Sequence, residues 1–262
     1  IWSFKKGKKL SKYLIYFDYI LFMNKQPSIS IIIPYKDNLK YLFSSLNSAF
    51  RQTYKNFRIV IIYDNENKAD LSKIKKFLDI KKSKKLPSIS IEVNKKNLGA
   101  GYSRNIGIKR SKTKYVAFLD SDDLWTKNKL KTQINYMEKN NYDFSHTSYY
   151  VINDKDTVIS TRNARSTISF NELLRSCDIG LSTVIIKTKF IKKNKYFFPK
   201  IKTKEDFVLW LKIIKDIETI SGLNRKLTFY RKTNNSLSSN KFTSLVNGYK
   251  VYRNYMNFSI SK

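Results

Sequence analysis

The chain holds one cysteine, one histidine, four prolines and seven glycines in 262 residues. With Cys177 alone, an internal disulfide is excluded and a reducing compartment fits. With His146 alone, a histidine-based metal centre and a hydrolase triad are both disfavoured. Scarce glycine and proline beside 15% aromatic residues argue against collagen-like repeats and low-complexity disorder. Long apolar runs are missing too: none reaches the ~18 residues that would cross a bilayer. The nearest, YLIYFDYILFM at 13–23, is short and is broken by Asp18. Acid is the other shortage, with 20 Asp and Glu against 52 Lys and Arg, a net charge of +32.

That charge invites a nucleic-acid reading. The excess is mostly lysine spread from end to end, in company with abundant Asn, Ile, Tyr and Phe. It reads as a compositional bias rather than a binding stripe, and no specific nucleic-acid partner is expected. A basic surface does favour anionic partners such as lipid headgroups or a phosphate-bearing substrate. Residues 1–27 form a basic amphipathic extension. Lys5, Lys6, Lys8 and Lys9 precede Leu10, Tyr13, Leu14, Phe17, Ile20 and Leu21 at helical spacing. Such a helix, within 5–23, packs on the flank of its own domain or lies on an anionic membrane surface as a peripheral contact. A start at Ile1 rather than Met leads us to expect a piece of a longer protein.

From residue 28 the pattern becomes regular. ISIII (29–33) reads as a buried strand stopped by Pro34. Leu39, Leu42, Phe43, Leu46, Ala49 and Phe50 mark one face of a helix, FRIVIIY (57–63) a second strand, and Leu71, Ile74, Phe77 and Leu78 another helix. SISIEV (88–93) is a third strand, GYSRNIGIKRS a short helix, and KYVAFLD (114–120) a fourth strand. Wholly apolar strands alternating with helices imply an α/β fold with a parallel sheet covered on both faces. Such sheets bind ligands outside the carboxyl ends of their strands. Asp37, Asp64, Asn97 and Asp120–Asp123 all fall there. Beyond about residue 145 the pattern loosens. SYYVIND and TVIST suggest a hairpin, FNELLRS a short helix, LSTVIIKTKFI a strand running into a turn, TKEDFVLWLKIIKD (203–216) a helix and LTFYRKTNNSLS a last strand and loop. The tail 241–262 is basic and aromatic.

Three carboxylates in four positions, in a chain so short of acid, demand a reason. In extended backbone Asp120 and Asp122 share a face, and two hard oxygen ligands suit Mg²⁺ or Mn²⁺ held jointly with substrate phosphates. The competing reading is a turn in which an Asp caps the following helix. The only other adjacent acid pair is Glu205-Asp206. Thr203 and Asp206 have capping-box spacing, and acids in a first helical turn are favoured by the helix dipole.

These residues carry a resemblance. SIIIPYKDNLKYL, RQTYKNFRIVIIYDNEN, NLGAGYSRNIGI, YVAFLDSDDLW, KTKEDFVLWLKI and YRKTNNSLS, in this order, resemble the motifs of the family 2 glycosyltransferases of GT-A fold. The resemblance covers roughly residues 28–240 and implies a mostly parallel sheet flanked by helices, with a smaller mixed acceptor-side region. It implies a nucleotide pocket from Pro34, Tyr35, Asp37 and Asp64, with Asp64 accepting from the base. Asn97, Gly99, Arg104 and Asn105 match the segment near the donor. Asp120 and Asp122, with Ser121 between them, match the DxD motif that holds the cation and diphosphate. Asp206 matches the catalytic base, with Glu205 beside it. The chain departs from the family at Asp64-Asn65-Glu66-Asn67, where Asp-Asp-Gly-Ser is frequent, and at Thr233, where a histidine is frequent.

The function so implied is inverting transfer of a sugar from a nucleoside-diphosphate sugar, a UDP-sugar above all, to a saccharide or lipid-linked hydroxyl. It would serve bacterial surface polysaccharide synthesis, in the cytoplasm or at the inner face of its membrane, with Mn²⁺ or Mg²⁺ as cofactor. The chemistry agrees: a cation stabilises the leaving diphosphate, and a carboxylate on the other side takes the acceptor's proton. A nucleotidyltransferase on a similar sheet would carry a glycine-rich triphosphate loop, and PYKDNLKY contains no glycine. A non-catalytic binding protein is the remaining alternative, and the intact acidic motifs count against it. His146, Trp125, Trp210 and Cys177 are expected to be structural, Cys177 in the core.

Overall fold

The computed structural model describes residues 26–82, 87–201 and 203–232. The amphipathic segment 5–23, Thr233 and the tail 241–262 lie outside the described residues.

The first half runs β1 Ile29–Tyr35, α1 Leu39–Phe50, β2 Phe57–Tyr63, α2 Ala69–Lys82, β3 Ser88–Val93, α3 Ala100–Arg110 and β4 Tyr115–Phe118. These four strands are mutually parallel in the order β3-β2-β1-β4. The sequence favours this arrangement because β1, β2 and β4 are apolar on both faces, with the partly exposed β3 at the edge. Ile31, Ile33, Ile59 and Ile61 pack with Leu42 and Leu46 of α1 and Ile74 and Leu78 of α2 on one side. Ile32, Val60, Ile62, Val116 and Phe118 pack with Ile108 of α3 on the other. β1 does not stop at Pro34 but continues to Tyr35. Its ladder with β4 ends at Ile32, so by Pro34 only β2 is alongside, and the missing proline N–H is tolerated.

The second half is mixed. β5 Leu124–Trp125, α4 Lys129–Asn140, β6 Phe144–Ile152, β7 Val158–Arg162, β8 Thr167–Ser169 and α5 Phe170–Arg175 come first. A 3₁₀ turn at Leu181–Thr183, β9 Ile185–Lys187, α6 Thr188–Lys193, α7 Glu205–Ile217 and β10 Thr219–Arg231 follow. The sheet continues from β4 through β9, β6 and β10 to β5, ten strands in all among the described residues. β9 is antiparallel to both β4 and β6, so parallel pairing is confined to β1–β4 and the β6–β10 pair. The hairpin expected from SYYVIND and TVIST is β6–β7. LSTVIIKTKFI is not one strand: it divides into the 3₁₀ turn, β9 and α6. α7 lays Phe207, Val208, Leu209, Trp210, Leu211, Ile213 and Ile214 into the core. The carboxyl ends of β1–β4 and the amino end of α7 are thereby brought to one edge of the molecule.

Candidate active site

The acidic cluster follows β4 directly. It is a turn and not extended backbone: the Asp123 N–H donates to the Asp120 carbonyl at 3.1 Å. The alternation that would put Asp120 and Asp122 on one face therefore does not apply, and their proximity comes from the turn instead. The Asp120 N–H donates to Ser182 Oγ (3.0 Å). Asp123 is buried, and its Oδ1 accepts the Arg231 N–H at 2.8 Å. No Asp of the cluster caps the next helix, since α4 begins at Lys129 with Asn128 before it. Burial, then the charge of Asp120, pushes the Asp122 carboxyl up to about 6, against the pull of Arg231 and Arg104. Burial, then Asp122 and Asp120, also raises Asp123 well above the carboxylate range.

Arg104, on α3, joins this turn to α7. Its Nη2 donates to Asp120 Oδ1 at 2.6 Å and its Nη1 to Glu205 Oε1 at 2.9 Å. The guanidinium is 4% exposed. Burial opposes its charge, but Asp120 and Glu205 outweigh that and raise its pKa above the ordinary value. α3 can come this close because residue 101 is glycine: a Cβ there would meet Glu205 Cγ at 3.0 Å and Phe198 Cβ at 3.3 Å. The Thr203–Asp206 capping box does not form. α7 starts at Glu205, and its N-cap is Lys204, left-handed at φ 61° with no side-chain cap hydrogen bond. Asp206 instead accepts the N–H of Phe207 at 2.8 Å. Burial, then the neighbouring Glu205, raises the Asp206 carboxyl to about 6. The two acids of the pair therefore differ: Glu205 is hydrogen-bonded to Arg104, whereas Asp206 feels the same guanidinium only as a pull weaker than its burial and the charge of Glu205.

At the ends of β1–β3 the expected residues divide. Asp64 is buried, and its carboxylate takes three donors: the N–H groups of Leu98 and Gly99 and the Asn94 amide, at 2.8, 2.8 and 2.7 Å. Asn97 Nδ2 donates to the Asp64 carbonyl (2.8 Å). Asp64 thus folds the 94–99 loop, which ends at Gly99 with φ 86°, the conformation that favours glycine there. Asp37 is exposed at φ 59° and accepts from Asn65 Nδ2 at 2.6 Å. The departure Asn65-Glu66-Asn67 is knit into this rim, with Glu66 accepting the Asn97 N–H at 3.3 Å. Ser121 is half-buried at the turn. Pro34 and Tyr35 are buried, and the Tyr35 hydroxyl is spent on Asp70 (2.8 Å). The Asn105 side chain pairs with both backbone groups of Phe198, at 2.9 Å each, as a strand would. In this structure Tyr35 and Asn105 hold the fold and offer no free side-chain group to a ligand.

Sequence reasoning missed Ser182, Arg231, Asn94 and Phe198. Ser182 and Phe198 lie where the pattern was loosest. Arg231 sat inside a motif already noted but carried no role. His146 lies on β6, fully buried, and Trp125 and Trp210 are core residues, as expected. Cys177 is exposed, contrary to the core expectation, because it lies in the linker between α5 and the 3₁₀ turn. Among the described residues no three His, Cys, Asp or Glu side chains form a ready cation site, and no helix is long and apolar enough to cross a membrane.

A sheet flanked by helices, with carboxylates beyond the ends of its parallel strands and an acid pair at the start of α7, is the arrangement expected from the resemblance to GT-A glycosyltransferases. Comparison with known proteins narrows the class: the sequence model of Glycosyl transferase family 2 matches residues 30–228, and the chain belongs to that family. It is 34% identical over 230 residues to the UDP-Glc:alpha-D-GlcNAc-diphosphoundecaprenol beta-1,3-glucosyltransferase WfgD of Escherichia coli, covering 87% of this chain and 86% of that protein. It is 35% identical over 219 residues to WfaP of the same species, which bears the same activity name, covering 83% of this chain and 82% of that protein. The putative teichuronic acid biosynthesis glycosyltransferase TuaG of Bacillus subtilis is 29% identical over 231 residues, 88% of this chain and 89% of that protein. Among solved structures, S. aureus TarS 1–349 in complex with UDP-GlcNAc superposes with a TM-score of 0.69 at 21% identity. That match covers 87% of this chain and 65% of TarS 1–349, so the chain spans under two thirds of that neighbour.

Proposed function

We propose that this glycosyltransferase transfers a sugar, with inversion, from a UDP-sugar to a hydroxyl of a lipid-diphosphate-linked saccharide, in bacterial surface polysaccharide synthesis at the inner face of the cytoplasmic membrane. The observation that carries the reading is the Arg104 bridge. It draws the Asp120–Asp123 turn and the Glu205-Asp206 pair to the two sides of one guanidinium. The E. coli relatives support the donor and acceptor classes, since their names specify UDP-glucose and a diphosphoundecaprenol-linked GlcNAc. Residues 28–240 would form the catalytic domain, between the 1–27 extension and the 241–262 tail.

Asp120 and Asp122 fit a divalent cation. They are two hard oxygen donors on one turn, where burial and then the charge of Asp120 already raise Asp122, and a cation would relieve the repulsion between them. With only these carboxylates available, the remaining ligands would be diphosphate oxygens and water. Bound Mn²⁺ or Mg²⁺ would supply charge stabilisation to the leaving diphosphate. Asp64, Asn97 and Gly99 shape the loop that borders the nucleotide, and Asp37 and Ser121 stand at its rim. Arg104 keeps Glu205 engaged and orients Asp120. Asp206 accepts the acceptor's proton as the new glycosidic bond forms and the bond to the diphosphate breaks. One carboxylate and one displacement suffice, so the anomeric carbon inverts.

The reading is tested by UDP affinity, measured calorimetrically with and without Mn²⁺. Asp122→Asn removes one charged oxygen ligand. It is expected to abolish the metal-dependent gain in affinity while the fold is retained. Unchanged metal dependence would remove Asp122 from the site.

A further inference from the structure

Arg231, the last residue of β10, is 2% exposed, and every nitrogen it has is used. Its backbone N–H donates to Asp123 Oδ1 (2.8 Å) and its Nε to the Asp122 carbonyl (2.9 Å). Its Nη1 donates to the Asn153 carbonyl (2.8 Å), and its Nη2 pairs with Asp156 Oδ1 at 2.6 Å. Its guanidinium lies over the Tyr41 ring, 4.5 Å from the centroid, and the Tyr41 hydroxyl donates to Asp154 at 3.0 Å. One side chain thus ties the acidic turn to the loop joining β6 and β7, and α1 closes over it through Tyr41. The short β5–β10 ladder, two residue pairs at Trp125–Thr228 and Leu124–Phe229, runs into the same clasp. A ladder that short fixes a turn poorly, whereas a buried guanidinium with fixed donor directions fixes it well.

We propose that Arg231 is a positioning residue for donor binding: it sets the orientation of Asp122 by gripping the Asp122 carbonyl and the Asp123 carboxylate against the β6–β7 loop. It touches no substrate in this arrangement. Its effect passes through the two aspartates it holds, Asp122 by its backbone carbonyl and Asp123 by its carboxylate. This rests on the reading that the Asp120–Asp123 turn receives the donor diphosphate. The choice of Arg follows from the geometry, because a lysine ammonium cannot reach the Asp122 and Asn153 carbonyls and Asp156 at once.

The test is Arg231→Lys and, from outside the core, Asp156→Asn, each compared with Asp122→Asn. The readouts are UDP affinity in Mn²⁺, donor KM, kcat and melting temperature. Asp156 is exposed on the loop and has no part in the chemistry, so its variant keeps the question open to test should Arg231→Lys not fold. In Arg231→Lys the donor KM and the UDP dissociation constant are expected to rise by about 10-fold or more, since the turn loses a charge-assisted hydrogen bond that fixes it. Asp156→Asn is expected to shift both in the same direction by a smaller factor. A purely structural role would lower the folded fraction, and with it kcat, while leaving donor KM and UDP affinity as in the parent. Unchanged donor KM and UDP affinity in Asp156→Asn, and in Arg231→Lys where it folds, overturn the proposal while Asp122→Asn still weakens UDP. If Asp122→Asn also leaves UDP binding intact, the donor-site reading itself fails.

Discussion

Arg104 decides how the two acids at the start of α7 behave. By taking Glu205 into an ion pair it leaves Asp206 half-buried beside a like charge, and desolvation with that charge lifts its carboxyl towards neutral pH. Burial of a different residue produces the opposite shift. His146 is fully buried with neither ring nitrogen hydrogen-bonded, and burial lowers its pKa from 6.5 to about 4. Between those two values the unfolded chain binds the proton and the folded chain does not. Stability from this residue is therefore full above about 6.5 and is lost as pH falls towards 4, on the order of 3 kcal/mol at ~1.4 kcal/mol per unit. The carboxyls of Asp122 and Asp206, raised by burial, act in the opposite sense, so the comparison must be between parent and variant. His146→Met is expected to flatten the decline in urea midpoint between pH 6.5 and 4, and an unchanged slope would show that His146 is not its source. The sequence made Asp120, Asp122, Glu205 and Asp206 legible because acid is so scarce here. It could not show that Asp64 spends its carboxylate on the 94–99 loop, or that Asn105 serves the Phe198 backbone. Those are contacts between segments with no shared periodicity.

At the scale of elements, β1, β2 and β4 were legible because their runs are almost wholly apolar, and α1 because it has a continuous apolar face; β3, SISIEV, alternates serine with isoleucine, and α3 buries glycine and polar residues beside Ile108. The region of β9, α6 and the start of β10 was not. β9 is three residues long, and β10 is thirteen residues with two register shifts against β6, too irregular for a period to emerge. The acidic segment has the sequence of an extended run because it follows a strand, whereas the turn is set by Ser182 and Arg231 from elsewhere in the chain. The closeness of α3 to β1 rests on Gly107. A Cβ there would lie 2.5 Å from Ile32 Cγ2, in the middle of the sheet. Gly107→Ala gains ~1 kcal/mol of helix propensity but overpacks a filled core, which costs ~1–3 kcal/mol. A net loss of about 1 kcal/mol, and at most ~2, follows, read as a lower denaturant midpoint with an unchanged m-value. A variant as stable as the parent would mean that α3 can slide on the sheet, and with it Arg104.

The whole molecule makes one site out of segments that are remote in sequence: Arg104 and Glu205 are 101 residues apart. The net charge of +32 gives a basic surface suited to anionic partners but does not localise the site, which gathers where the few acids are. The central claim is that these acids work as one machine, with Asp206 taking the proton while the Asp120–Asp123 turn holds the donor. The most direct test is the rate of sugar transfer at saturating donor across pH, for the parent and for Asp206→Asn, with melting temperature taken on the same preparations. Because the active form of Asp206 is ionised, the parent rate is expected to rise with pH through about 6. Asp206→Asn keeps an oxygen for the Phe207 N–H, so its melting temperature is expected to stay close to the parent's. Its transfer rate is expected to fall by ~10²-fold or more, with that pH limb gone. An Asn variant that transfers sugar at close to the parent rate, with the same pH limb, would contradict the account and move the search for the base to Glu205.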